Sequence, residues 1–110
     1  MSTASDTLMT FTDRSSHRYQ LSPTDIFYIE ADNIYSRIIS RDLTIHIPYP
    51  LLLMEELMPD YFLRIHRSFL INCHAVATLY RRTVLMDNGS RLPVPEKKYS
   101  WLKKYLDTLK

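Results

Sequence analysis

Short apolar stretches, rich in β-branched and aromatic residues and separated by polar turns, follow one another along most of this chain. "IFYIEA" is almost continuously apolar, which is typical of a strand buried on both faces. "LTIHIP" alternates, so Leu43, Ile45 and Ile47 are expected to point inward. The alternation in "NIYSRIIS" places on one face Ile34, Ser36 and Ile38, and on the other Tyr35, Arg37 and Ile39. The patterns predict a domain built mainly from short strands.

Two further stretches predict helices. "LLLMEELM" lies between Pro50 and Pro59, and proline both opens and ends helices well. From about Pro95 to the end, the chain has the spacing of an amphipathic helix. Its apolar face consists of Tyr99, Leu102, Leu106 and Leu109. Asn88-Gly89 is the strongest hairpin signal, because both residues tolerate positive φ. The predicted architecture is therefore many short strands, one short internal helix and one closing helix.

Length and composition predict one ordered domain. The chain has 110 residues, of which 45% are apolar, so we assign residues 1–7 to an N-terminal tail and residues 8–110 to the domain. It has no signal peptide and no apolar run of membrane-spanning length. A lone cysteine, Cys73, favours a reducing compartment such as the cytoplasm. The net charge of +2 does not by itself indicate nucleic acid.

Signals for catalysis, metals and cofactors are weak. The four histidines are scattered, there is no HExxH motif, and no second cysteine is present. Cys73 and His74 are adjacent, so in a strand they would point to opposite faces. The single glycine, Gly89, excludes a glycine-rich phosphate loop. We therefore expect no enzyme activity, no metal and no cofactor. A small hydrolase would need a pocket with a perturbed titratable pair.

The segment "FLRIHRSFLIN" is both strongly apolar and strongly basic. Its simplest geometry is a buried strand, a turn or bulge at His66-Arg67-Ser68, and a second buried segment. Arg67 would then lie at the rim of a rigid core, where a guanidinium can bind phosphate or a guanine edge in a bidentate manner. In the alternative, Arg67 pairs with an acid such as Asp60. We expect His66 to brace the turn and Asn72 to cap local backbone groups.

Three runs together resemble one known family. "DIFYIEADNIYSRI", "HIPYPLLLMEELMPDYFLRIHRSFLIN" and "VLMDNGSRLPVPEKKYSWLKKYL" are similar, in order and spacing, to the LytTR DNA-binding domains. These are output domains of many bacterial LytR/AlgR-type response regulators. The resemblance covers about Leu8 to Leu106, and "FLRIHRSFLIN" is its most specific part. It implies a mainly β fold of several small antiparallel sheets with short helices, and double-stranded DNA as the partner.

The resemblance also implies that loops, rather than a recognition helix, reach the DNA grooves. Three segments would do so: the loop after "YIEA", the His-Arg-Ser turn, and the stretch before the last helix. The expected DNA-binding residues are Asn33, Tyr35, Ser36, Arg37, His66, Arg67, Ser68, Lys97 and Lys98. In the third segment the family usually has Ser then Arg or Lys, whereas this chain has Pro95 and Glu96. Glu96 would repel phosphate, so the contact is assigned to Lys97 and Lys98 instead.

The regulatory context stays open in the sequence. Family members commonly follow a receiver domain, and none fits before Leu8, so this is either an excised output domain or a stand-alone regulator. Met1 favours the second. We expect two copies to pair on neighbouring direct repeats. The competing hypothesis is a protein-interaction module that kept the fold without DNA binding.

Overall fold

The computed structural model describes residues 8–109, so the predicted tail at residues 1–7 lies outside the described residues. Its strands, in chain order, are β1 Met9–Thr12, β2 Arg18–Leu21, β3 Ile26–Asp32, β4 Tyr35–Ser40, β5 Thr44–Ile47, β6 Phe62–His66, β7 Phe69–Asn72, β8 Val76–Tyr80, β9 Thr83–Met86 and β10 Arg91–Pro93. Its α-helices are α1 Leu51–Leu57 and α2 Glu96–Thr108. Short 3₁₀ turns at Pro23–Asp25 and Cys73–Ala75 lead into β3 and β8.

The strands form three antiparallel sheets. The largest has five strands in the order β5-β4-β3-β7-β6, and β10-β9-β8 and β1-β2 form the other two. The prediction of a mainly β fold with an internal and a C-terminal helix is confirmed. No helix within residues 8–109 combines the length and the apolar character needed to span a membrane.

The five-stranded sheet is covered on both faces. On one face, α1 and the β1–β2 hairpin pack against a buried cluster that includes Ile29, Ile38 and Ile45. On the other, α2 and the three-stranded sheet enclose a second cluster, in which Leu102 of α2 is fully buried. Burial on both faces explains why β3 is almost continuously apolar in sequence.

Leu43, which was predicted to point inward, and Ile34, which was grouped on one face with Ser36 and Ile38, are both exposed. Ile34 is 64% exposed because it lies in the turn beyond the last β3–β4 pair, Asp32–Tyr35. Leu43 is 38% exposed because it precedes β5, whereas Ile45 and Ile47 are buried as predicted. In both cases the alternation continues in sequence past the point where the strand ends. The predicted apolar face of α2 is confirmed, since its members pack into the second cluster.

Candidate nucleic-acid interface

The β6–β7 turn places Arg67 and Ser68 between two strands of the five-stranded sheet. Strand β6 has a register shift between Arg64 and His66, which bends the chain into the turn. The backbone N–H of Ser68 donates to Nδ1 of His66 at 3.0 Å, and the imidazole lies 5.6 Å from the ring of Phe69. His66 is therefore a brace of the turn, as predicted, and this hydrogen bond places the ring proton on Nε2.

Arg64 holds the same turn from the side of α1. Its Nη2 donates to the carbonyl of Arg67 at 2.7 Å, its Nε donates to the carbonyl of His66 at 3.1 Å, and its Nη1 pairs with Glu55 at 3.2 Å. A planar guanidinium can make all three contacts at once because its donors diverge in a fixed geometry. Sequence reasoning did not assign this role, since the contacts depend on where the bulge sends the chain.

Arg67 itself is exposed. Among residues 8–109, no hydrogen bond or ion pair of its side chain is present, so the predicted alternative of a pair with Asp60 does not occur there. The turn backbone is thus held in place while the Arg67 guanidinium faces solvent. Such a group can bind an anion without first breaking an intramolecular contact.

The β3–β4 turn lies next to the β6–β7 turn. The N–H of Ala31 donates to the carbonyl of Ser68 at 2.9 Å, which ties the end of β3 to the second turn. Asn33 is exposed and has φ of 59°, a conformation that asparagine tolerates better than most residues. Tyr35 is half-buried, and the guanidinium of Arg14 lies 4.1 Å from its ring centroid. Arg14 was not among the predicted site residues.

Ser36 and Arg37 differ from what the resemblance implied. Ser36 is 1% exposed, and its hydroxyl donates to the carbonyl of Tyr49 at 2.7 Å, because strand alternation turns it into the core. We therefore remove Ser36 from the candidate interface. Arg37 is on the opposite face, where its Nη2 pairs with Glu30 at 3.2 Å. Its Nε is buried without a partner among the described residues. The acid offsets much of the charge that Arg37 would present to DNA.

The start of α2 meets the β6–β7 region. Lys98 is half-buried, and its Nζ donates to the carbonyl of Arg64 at 2.7 Å, whereas Lys97 is exposed. The carboxylate of Glu96 lies 3.7 Å from Nη1 of Arg82. The end of β3 and the His-Arg-Ser turn are thus joined directly, and the third segment is joined to that turn through Arg64. Together they present the side chains of Asn33, Arg67 and Lys97 to solvent on supported backbone.

Catalytic chemistry finds little support among residues 8–109. Within residues 8–109, no group of three or more potential ligands could hold a metal ion. Cys73 is buried, and burial raises the pKa of its thiol from 9.0 to about 12. A nucleophilic cysteine needs the opposite shift, because the thiolate is the reactive form.

Cys73 is expected to react with a thiol reagent at neutral pH only as fast as the protein unfolds.

The buried Cys73 thiol also makes the stability depend on pH. Because folding raises the thiol pKa, the contribution of Cys73 to stability is fully present below about pH 9 and is lost as the pH rises through about 12. Measuring the free energy of unfolding from about pH 9 to about pH 12 checks that stability falls, and does not rise, as the pH increases. Burial also raises the pKa of Tyr61 and Tyr105, so Cys73→Ala should show a smaller alkaline loss and not its absence.

Comparison with known proteins agrees with the geometry. The model of the LytTr DNA-binding domain family matches residues 16–107. Among solved structures, the chain is similar to the LytTr DNA-binding domain of a protein from Bacillus cereus described as a methyl-accepting/DNA response regulator, with 27% identity and a TM-score of 0.73. The match covers 92% of this chain and 96% of that one. Among curated proteins, none matches significantly. The family is one of DNA-binding and not of catalytic domains, and this chain belongs to the LytTR family.

Proposed function

We propose that this chain binds double-stranded DNA sequence-specifically, as the DNA-binding part of a bacterial transcriptional regulator. The observation that carries the proposal is the unpaired, exposed Arg67 on a turn whose backbone is held by Arg64 and His66. An arginine whose backbone is held in place loses less freedom on binding than one on a mobile loop. Family membership supports DNA as the partner.

In this proposal, Arg67 enters a groove and reads a base edge. A bidentate contact from arginine to guanine is the commonest specific contact in protein–DNA complexes. Asn33 and Ser68 lie on the adjoining turns, where short polar side chains can bond to phosphate or base edges. Lys97 contacts the phosphate backbone. Arg37 and Lys98 contribute less to this contact, because Arg37 pairs with Glu30 and Lys98 donates to the carbonyl of Arg64. Tyr35 lies against the backbone with Arg14 stacked on it.

The proposal includes an assembly and a cellular setting. Two copies bind neighbouring direct repeats, so that each copy reads the same short sequence. The setting is a bacterial cytoplasm and a two-component pathway, with control from a receiver domain or another regulatory partner. The resemblance to response-regulator output domains supports this setting.

A selection from a random duplex library at near-physiological salt tests the proposal. The wild-type domain is expected to recover a repeated motif, and Arg67→Ala is expected to blur the motif at one position. The expected loss of discrimination there is about 1–3 kcal/mol, which corresponds to roughly 5- to 150-fold. Arg67→Lys keeps the charge without the bidentate fork, so it should keep affinity and lose selectivity.

Lys104→Ala is the matched control, since it removes one exposed charge from α2 away from its first turn. It should recover the wild-type motif. Recovery of unselected DNA, or of none, by the wild-type domain would contradict the proposal and favour the protein-interaction module. A motif unchanged in Arg67→Ala would keep DNA binding and remove Arg67 from its centre.

A further inference from the structure

The β8–β9 turn has a conformation that its residues fit poorly. Tyr80 pairs with Thr83, so Arg81 and Arg82 are the two central residues of a tight hairpin turn. Both have positive φ, 49° and 59°, as a type I′ turn requires. Such turns prefer Asn-Gly, because a side chain at positive φ crowds its own backbone. Two arginines therefore occupy a turn that costs free energy to form with them.

The turn is fixed beside the segment that enters α2. The N–H of Val94 donates to the carbonyl of Arg82 at 2.9 Å, and the Arg82 guanidinium lies 3.7 Å from the carboxylate of Glu96. Glu96, together with Pro95, departs from the family pattern in the third expected DNA-binding segment. Arg82 partly offsets its negative charge, although solvent screens the pair because both side chains are exposed.

Arg81 adds a second exposed charge at the same place. Its guanidinium lies 5.1 Å from the ring centroid of Tyr80, which is itself 62% exposed. Among residues 8–109, no ion pair of Arg81 is present. The turn thus presents one guanidinium that has no ion pair in the described part of the chain, a second one that faces a single acid, and a phenol hydroxyl. These are groups that bind phosphate oxygens in protein–DNA complexes.

We propose that the Arg81-Arg82 turn, with Tyr80, binds the phosphate backbone of the same DNA duplex and takes the place of a phosphate contact that Pro95 and Glu96 cannot make. This inference rests on the proposed function. It adds a hairpin tip to the third contact, beside Lys97 at the helix start. Because phosphate contacts position a protein without reading bases, the turn contributes to affinity and not to the recovered motif.

The test replaces the turn with the sequence that its backbone prefers. In the double variant Arg81→Asn/Arg82→Gly both charges are removed, while the fit to positive φ improves, so the protein is expected to fold and to melt at a higher temperature. Binding to the selected duplex is measured against salt. The slope of log affinity against log salt should become shallower by about 0.9 for each phosphate that is no longer neutralised, or about 1.8 for the pair.

The matched control is Lys103→Gln/Lys104→Gln, which removes the same charge from exposed positions further along α2. Its slope should stay close to that of the wild type. An unchanged slope in the Asn-Gly variant, with normal wild-type binding, would overturn the inference and leave the proposed function standing. Equal slope changes in both double variants would also overturn it, because the effect would then be one of overall charge. Absence of any wild-type binding would remove the proposed function, and the inference with it.

Discussion

Replacing Asn72 with alanine is expected to lower the free energy of unfolding by about 2–4 kcal/mol, the sum of a missing cap and a buried carbonyl left without its donor. Asn72 is 1% exposed, so water does not substitute for the missing hydrogen bonds. Its Nδ2 donates to the carbonyl of Ile26 at 2.9 Å, and its Oδ1 accepts the N–H of His74 at 2.9 Å. Thermal or denaturant unfolding measures the effect.

Two companion variants separate the two halves of the Asn72 interaction. Asn72→Asp keeps the acceptor for His74 and loses the donor for Ile26, and it also buries a charge, so it should be at least as destabilising as alanine. Thr78→Ala, at an exposed position of β8, should change stability little. A loss below about 0.5 kcal/mol in Asn72→Ala would show that these hydrogen bonds do not hold β7 to the start of β3.

The strand–turn–strand geometry of residues 62–72 could be predicted because local sequence determines it. Apolar residues lie on both sides of a polar break at His66-Arg67-Ser68, which is where the chain reverses. The bracing by His66 and the capping by Asn72 were also predicted, since both are short-range contacts. The second hydrogen bond of Asn72, to the carbonyl of Ile26, was not predicted, because the two residues are far apart in sequence and no local pattern indicates the contact.

The misses have physical causes as well. Ser36 was assigned to DNA through the resemblance, although the same alternation that groups it with Ile38 indicates burial. Arg14 reaches Tyr35 because the β1–β2 turn lies beside β5, where the Arg14 N–H donates to the carbonyl of His46. Sheet order of this kind is a tertiary property. The positive φ of Arg81 could not be predicted either, because arginine is not a residue type that indicates a tight turn in a sequence.

Replacing Arg64 with methionine is expected to weaken DNA binding by roughly 25- to 700-fold. The variant keeps an apolar stem but loses the bonds to the carbonyls of His66 and Arg67. Two turn residues would then have to be ordered on binding, at about 1–2 kcal/mol each, and each 1.4 kcal/mol is a factor of about ten in affinity. Titration of the selected duplex measures the loss.

The salt dependence of the Arg64 variant distinguishes positioning from direct binding. If Arg64 only holds the turn, affinity falls while the slope against salt stays that of the wild type, because every phosphate contact is kept. A slope shallower by about 0.9 would instead show that Arg64 itself binds a phosphate.

Glu55→Gln removes the ion pair at 3.2 Å and leaves both carbonyl bonds, so it should bind nearly as the wild type does. Arg64→Lys keeps the charge but cannot span both carbonyls, so only partial recovery is expected. Full recovery with lysine would show that the charge of residue 64, and not its fork of donors, supports the interface.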